Sequence, residues 1–238
     1  MKIEEYILEE DENLVAINKP SGLLTIPDRE GKEISLKQIL KAKYGDIFTV
    51  HRLDKDTSGI VVFAKNEEAH KQVSQLFEAR ETLKIYNGFV LGSPFETSGL
   101  INEPIAEHPV KKGLMTVYKK GKESITEYEV LENFKLYSWM QFHILTGRTH
   151  QIRVHMKHLG HPIVCDQFYG DGKPVFISAI KRKRFNLSKN EEEEKPILSR
   201  LALHASQLKF ELNKKHYNLE AELPKDLRAL LQQLRKNK

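Results

Sequence analysis

Cysteine is almost missing from this chain: Cys165 stands alone. A lone thiol excludes an internal disulfide framework and suits a reducing compartment, so a cytoplasmic location is expected. Long apolar runs are missing as well. No stretch approaches the roughly 18 apolar residues that a membrane helix needs, so no membrane partner is expected. The first residues, Met1-Lys2-Ile3-Glu4-Glu5-Tyr6, are acidic and poor in apolar side chains, and are not expected to act as a secretory signal. A large surplus of either charge is absent too: 38 Lys plus Arg stand against 33 Asp plus Glu, a net +5. So small an excess does not by itself indicate a polyanionic partner, and the distribution of charge matters more than its sum. Internal repeats and tandem-domain signals are also lacking. A single domain over residues 1–238 is the expectation.

What the chain does have is concentrated in His51-Arg52-Leu53-Asp54-Lys55-Asp56-Thr57-Ser58-Gly59. The apolar run Ile60-Val61-Val62-Phe63-Ala64 follows at once, rich in β-branched side chains, and reads as a buried strand. The polar stretch is therefore a loop at the lip of a sheet, a common place for chemistry. Further strands are expected at Leu14–Asn18, Lys84–Leu91, Ser124–Leu131, Trp139–Leu145, within Leu201–Leu212 and at Tyr217–Leu223. Helical spacing marks Ser35–Lys43, Glu67–Arg80 behind an Asn66 cap, Thr149–Leu159 before Gly160, and a last helix from Pro224 to about Arg235. Lys19-Pro20-Ser21-Gly22 reads as a turn, and the segments around Asn102–Ile105 and Lys111–Gly113 read as connections. Strands and helices do not alternate strictly, which points to an α+β fold: a mixed, largely antiparallel sheet flanked by helices. A charged insertion at about 181–196 joins a basic tract, Lys181-Arg182-Lys183-Arg184, to Glu191-Glu192-Glu193-Glu194. It reads either as a solvated face or as a tract that follows phosphates.

Three constellations carry possible chemistry. His150, His155, His158 and His161 are spaced for metal ligands, but no cysteine or acid lies among them and Gly160 interrupts the helix, so no metal is expected. His155 and His158 then read as surface or stacking residues. Asp54 and Asp56 are close enough for a carboxylate pair of the glycosidase kind, yet nothing else resembles a sugar platform. The third constellation joins Asp54 to distant segments. His51-Arg52-Leu53-Asp54, Thr57-Ser58-Gly59 and Ala64-Lys65 resemble the signature of RluA-type RNA pseudouridine synthases. Asn18-Lys19-Pro20-Ser21-Gly22, Lys84-Ile85-Tyr86 with Gly92, Thr126-Glu127-Tyr128, Gly147-Arg148-Thr149-His150-Gln151-Ile152-Arg153-Val154-His155, Leu159-Gly160-His161-Pro162-Ile163 and Leu203-His204-Ala205 with Leu208 and Phe210 follow the same family's order. The resemblance covers about residues 14 to 230.

That resemblance implies a pseudouridine synthase fold with a central active-site cleft, and an isomerase that turns a uridine of ribosomal or transfer RNA into pseudouridine. No atom is gained or lost overall, so no cofactor is expected. The family pattern assigns the catalytic carboxylate to Asp54, the active-site aromatic to Tyr86, and the cation that keeps Asp54 negative to Arg153. Asp54 can attack the ribose carbon or remove a sugar proton; a carboxylate is competent for either. Arg52 is implied to fill the space left by the flipped base, and Lys19, Lys55, Arg148, His150 and Lys157 are candidates for RNA contacts. RNA is the expected partner, with a monomer and no obligate protein partner. The first motif begins so early that the small N-terminal RNA-binding domain of the S4 type found in many relatives is expected to be absent. A binding-only protein on the same scaffold is the competing reading. It has no use for a carboxylate in a polyanion site.

Overall fold

The computed structural model of the chain describes residues 2–28, 30–181 and 193–238. Most of the charged insertion, residues 182–192, lies outside the described residues. In chain order the elements are a 3₁₀ turn at Ile3–Tyr6, β1 Ile7–Glu10, β2 Leu14–Lys19, α1 Leu36–Tyr44, β3 Phe48–Thr49, β4 Ser58–Ala64, α2 Glu67–Glu78, β5 Leu83–Leu91, β6 Ser98–Asn102, β7 Ile105–Glu107 and β8 Met115–Val117. There follow β9 Ile125–Asn133, β10 Tyr137–Ile144, α3 Gln151–His158, α4 Ile177–Lys181, β11 Leu203–Leu212, β12 Lys215–Glu220 and α5 Lys225–Lys236. No helix among the described residues is long and apolar enough to cross a membrane.

The chain forms two compact units. The first is made of Met1–Tyr86, His143–Thr149 and His204–Glu222, the second of Asn87–Phe142, His150–Leu203 and Leu223–Lys238. In the first unit the strand order is β1-β2-β4-β11, with β3 also on β4 and β12 on β11. β2 runs antiparallel to β4, and β11 runs parallel to it, so the sheet is mixed as its sequence pattern suggests. Every residue of β4 is buried. Its alternate side chains feed two cores: Ile60, Val62 and Ala64 pack with Ala69 and Val73 of α2 and Leu208, Phe210 and Leu212 of β11, whereas Val61 and Phe63 pack with Leu36 and Leu40 of α1. Burial on both faces explains the unbroken apolar run. Leu53 joins the second of these cores, so the loop before β4 is pinned by its own apolar residue.

Helix ends follow local chemistry. Ser35 is the N-cap of α1 rather than its first turn, in a capping box with Gln38. α2 is capped by Asn66 and stops at Glu78, two residues before its expected end, where Arg80 adopts φ 63°.

In the second unit, residues 87–91 of β5 and then β10, β9 and β6 lie in that order, with β6 and β9 antiparallel. Of the segments read as connections, Asn102–Ile105 leads into a short hairpin, β7 with β8, and Lys111–Gly113 lies in its loop; the two strands are too short for alternation to show. Residues Gln151–Met156 of α3 are all buried, so this helix is a core element rather than a surface one. Cys165 is buried as well, and burial pushes its thiol up to about 11, which removes it from thiolate chemistry at neutral pH.

One glycine is decisive. Gly59 has φ +114°, and an added Cβ would sit 2.2 Å from the carbonyl oxygen of Ala205, its partner in the parallel pairing of β4 with β11. Gly59→Ala is expected to cost at least about 3 kcal/mol. A urea midpoint equal to that of the wild type would contradict this account of the pairing.

Candidate active site

The loop that carries Asp54 is held by a second loop. Lys19 is fully buried, and its ammonium donates to the carbonyls of Pro20 at 3.0 Å, Leu23 at 2.8 Å and Lys55 at 2.9 Å. The Ser21 hydroxyl donates to the Asp56 carbonyl at 2.6 Å, and the Gly22 N–H donates to that of Lys55 at 2.9 Å. Thr25 both accepts from the Leu53 N–H and donates to its carbonyl. Within the loop the Thr57 N–H donates to the Asp54 carbonyl at 3.2 Å, closing a turn. The expected RNA contact by Lys19 is therefore corrected: a side chain without exposed surface, already bonded to three carbonyls, is a structural clamp. Lys55 stays half-exposed but forms an ion pair with Glu33 at 2.7 Å, which compensates its charge.

His51 anchors the other end of the loop. Its Nε2 accepts from the Val62 N–H at 3.1 Å, and its ring stacks on Phe77 with centroids 4.7 Å apart. Burial, then the charge of Lys84, pushes its pKa down to about 3. His51 is thus a neutral acceptor near neutral pH rather than a proton shuttle.

Beside this anchor lies a cleft of about 480 Å³ in the first unit, lined by His51, Arg52, Phe77, Lys84, Tyr86 and Arg148, among others. Four of its lining residues are cationic, Arg52, Arg80, Lys84 and Arg148, against the single carboxylate of Glu78. Arg52 is exposed there, flanked by buried Leu53. Tyr86 is half-buried on β5. Its phenol is held above the ordinary range, first by burial and then by the negative charge of Asp54. Asp54 thus acts electrostatically on Tyr86 within one unit. Lys84, two residues before Tyr86, is buried, with its Nζ 5.5 Å from the Phe77 centroid. Arg80 did not stand out in the sequence, being one cation among 38, and Lys84 entered only as part of the Lys84-Ile85-Tyr86 motif, with no role given to it.

Arg153 and His150 belong to the second unit. Arg153 is buried rather than on a helix surface, and its Nε and Nη2 donate to the two oxygens of Asp166, each at 2.8 Å. Asp166 also accepts from the backbone N–H groups of Phe168 and Tyr169. The guanidinium lies over both of those rings, at 5.4 and 5.1 Å. Asp166 was not anticipated; the run Cys165-Asp166-Gln167-Phe168-Tyr169 carries no signal of its own without the fold. His150 takes a left-handed φ of 56° at the start of α3, and its Nδ1 is bonded to the Tyr169 hydroxyl at 2.7 Å. His155 is not a surface residue: it is buried and bridges the Thr126 hydroxyl and the Glu103 carbonyl.

A cationic cleft with a phenol under the influence of a loop-borne carboxylate suits an anionic ligand. Comparison with known proteins narrows this class. The family model described as RNA pseudouridylate synthase matches residues 13–158. The ribosomal large subunit pseudouridine synthase D of Buchnera aphidicola subsp. Schizaphis graminum is 36% identical over 235 residues, covering 95% of this chain and 72% of the relative. Its namesake in Salmonella typhimurium is 33% identical over 245 residues, covering 96% of this chain and 70% of the relative. Among solved structures, human RNA pseudouridylate synthase domain containing 4 superposes with a TM-score of 0.73 at 28% identity, covering 98% of this chain and 94% of that one. The chain belongs to the RNA pseudouridylate synthase family, and with it to the isomerases that act on RNA.

Two expected outcomes test the site's construction. His51 has a depressed pKa in the folded state, so stability is full above about pH 6.5 and falls as the unfolded chain takes up the proton that the folded one refuses. From pH 7 to pH 5 the loss from this group is about 1–2 kcal/mol, discounted for its partial exposure. His155 adds to the same trend, since burial lowers its pKa too. His51→Gln, which keeps an acceptor near the Nε2 position, is expected to flatten urea-measured stability over that interval; an unaltered pH slope would count against a neutral His51. Asp166→Ala removes the bidentate partner of a buried guanidinium and is expected to cost about 3–5 kcal/mol. A calorimetric melting temperature within a degree or two of the wild type would refute that role.

Proposed function

We propose that Asp54 is the carboxylate that acts at the ribose of a uridine in ribosomal RNA of the large subunit, and that Tyr86 holds the uracil while it turns. In this reaction the bond from uracil N1 to the ribose breaks and a bond from C5 forms. The C5 proton leaves and N1 gains one, so the sum of atoms is unchanged and no redox partner is called for. What supports the residue assignment is the electrostatic influence of Asp54 on Tyr86 beside a cleft rich in arginine and lysine. A phenol kept protonated is a hydrogen-bond donor and a stacking surface at once. What supports the choice of RNA is the name carried by relatives 33–36% identical to this chain.

Arg153 is the third member of the proposed set, a permanently charged guanidinium whose orientation is fixed by Asp166. Arg52 and Arg148, which line the cleft, are proposed to meet the RNA, with Arg52 taking the place of the everted base. The same reading has the protein working as a monomer in the cytoplasm, with RNA as its partner.

Asp54→Asn is expected to abolish pseudouridine formation while RNA affinity stays within about tenfold, a change of ~1.4 kcal/mol. Mapping of pseudouridines in total RNA from cells with and without the gene identifies the uridine. Full turnover by the Asp54→Asn variant would end the assignment, and loss of a transfer RNA site alone would move the target away from the ribosome.

A further inference from the structure

The cleft of the first unit contains a charge for which the described residues supply no counter-charge. Lys84 is 8% exposed, and its one ring contact is with Phe77, which is itself stacked on His51. Among the described residues its ammonium has no hydrogen-bond acceptor and no ion-pair partner. The charged and titratable groups around it do not compensate it. Arg80 repels it, His51 is neutral, and Glu78 lines the same cleft without bonding to it. Burial and then Arg80 lower its pKa, as expected for a cation stripped of water near another cation.

Lys19 offers an internal comparison. It is even more deeply buried, yet its three donors meet three carbonyls. The stem of Lys84 is buried while its ammonium faces the cleft without such acceptors, so its three donors are open to whatever occupies the cleft. The unmet donors of Lys84 belong to a residue that lines an open concavity shared with Arg52, Arg80 and Arg148. The group that best completes this arrangement is anionic, compact and rich in oxygen.

We propose that Lys84 is a phosphate-binding residue: its ammonium takes the non-bridging oxygens of one phosphodiester of the bound RNA. This rests on the function proposed above and deepens it. Lys84 and Tyr86 are two residues apart on β5, and side chains at that spacing leave the strand on the same side. The phosphate held is therefore one beside the nucleotide whose base lies at Tyr86. Because the buried stem holds the ammonium against Phe77, little order is lost when the phosphate arrives.

The test uses the full chain and a uridine-containing RNA stem-loop, with dissociation constants measured across a range of KCl concentrations. For Lys84→Met the slope of log affinity against log salt is expected to become shallower by about 0.7 to 0.9. Affinity near physiological salt should fall about tenfold, the size of one charge-assisted contact. Lys84→Arg is expected to restore the slope. The melting temperature of Lys84→Met is expected to equal or exceed that of the wild type, since the variant removes a charge that Arg80 repels and keeps the buried stem's volume. An unchanged salt slope in Lys84→Met overturns the proposal, and an unchanged slope with a lowered melting temperature marks Lys84 as a packing residue instead. Pseudouridine formation by the wild-type chain is read in parallel. Its absence would defeat the proposed function, whereas its presence beside an unchanged slope would defeat the role of Lys84 alone.

Discussion

The ammonium of Lys19, enclosed by the carbonyls of Pro20, Leu23 and Lys55, is the contact on which the first unit's chemistry depends. Backbone carbonyls in a loop have no ladder to satisfy them. A single buried cation here satisfies three at once and binds the turn after β2 to the loop before β4. Ser21, Gly22 and Thr25 add bonds of the same kind, all directed at residues 53–56. Leu53 then descends into the core, and His51 grips β4 through Val62. Asp54 is consequently flanked on both sides by residues that the fold holds in place.

The two buried lysines of this unit illustrate how burial changes meaning with partners. Lys19 and Lys84 both have buried stems, yet one ammonium is enclosed by the protein's carbonyls and the other faces the cleft. Arg153 follows the pattern of Lys19, since Asp166 meets it with both oxygens while two backbone N–H groups and two aromatic rings hold the pair in place. A buried guanidinium fixed this firmly specifies one arrangement of α3 and the segment after it. That is the usual service of such a pair, whose net contribution to stability is small.

The difference between what was legible and what was not follows range. β4, β5, α1, α2 and α5 are long enough for their apolar period to be read, and their caps are local. β3, β7 and β8 are two or three residues long, below the length at which alternation carries information. α3 misleads because its period is that of a surface helix, whereas burial surrounds it; Arg153 and His155 are inside because Asp166, Thr126 and Glu103 receive them. The motif residues of the site were recognisable in order, but their duties were not. Lys19 looks like a phosphate contact in the sequence, and it is a clamp.

From the sequence alone came the family and the class of fold, and the proposal of Asp54 and Tyr86 for the site, because order and spacing of motifs survive without coordinates. Which cations are spent on the protein's own carbonyls and carboxylates, and which are left facing the cleft, was decided only in three dimensions. A lysine's side chain is the same in either role; its availability is set by acceptors drawn from segments tens of residues away, and chain order does not reveal those meetings.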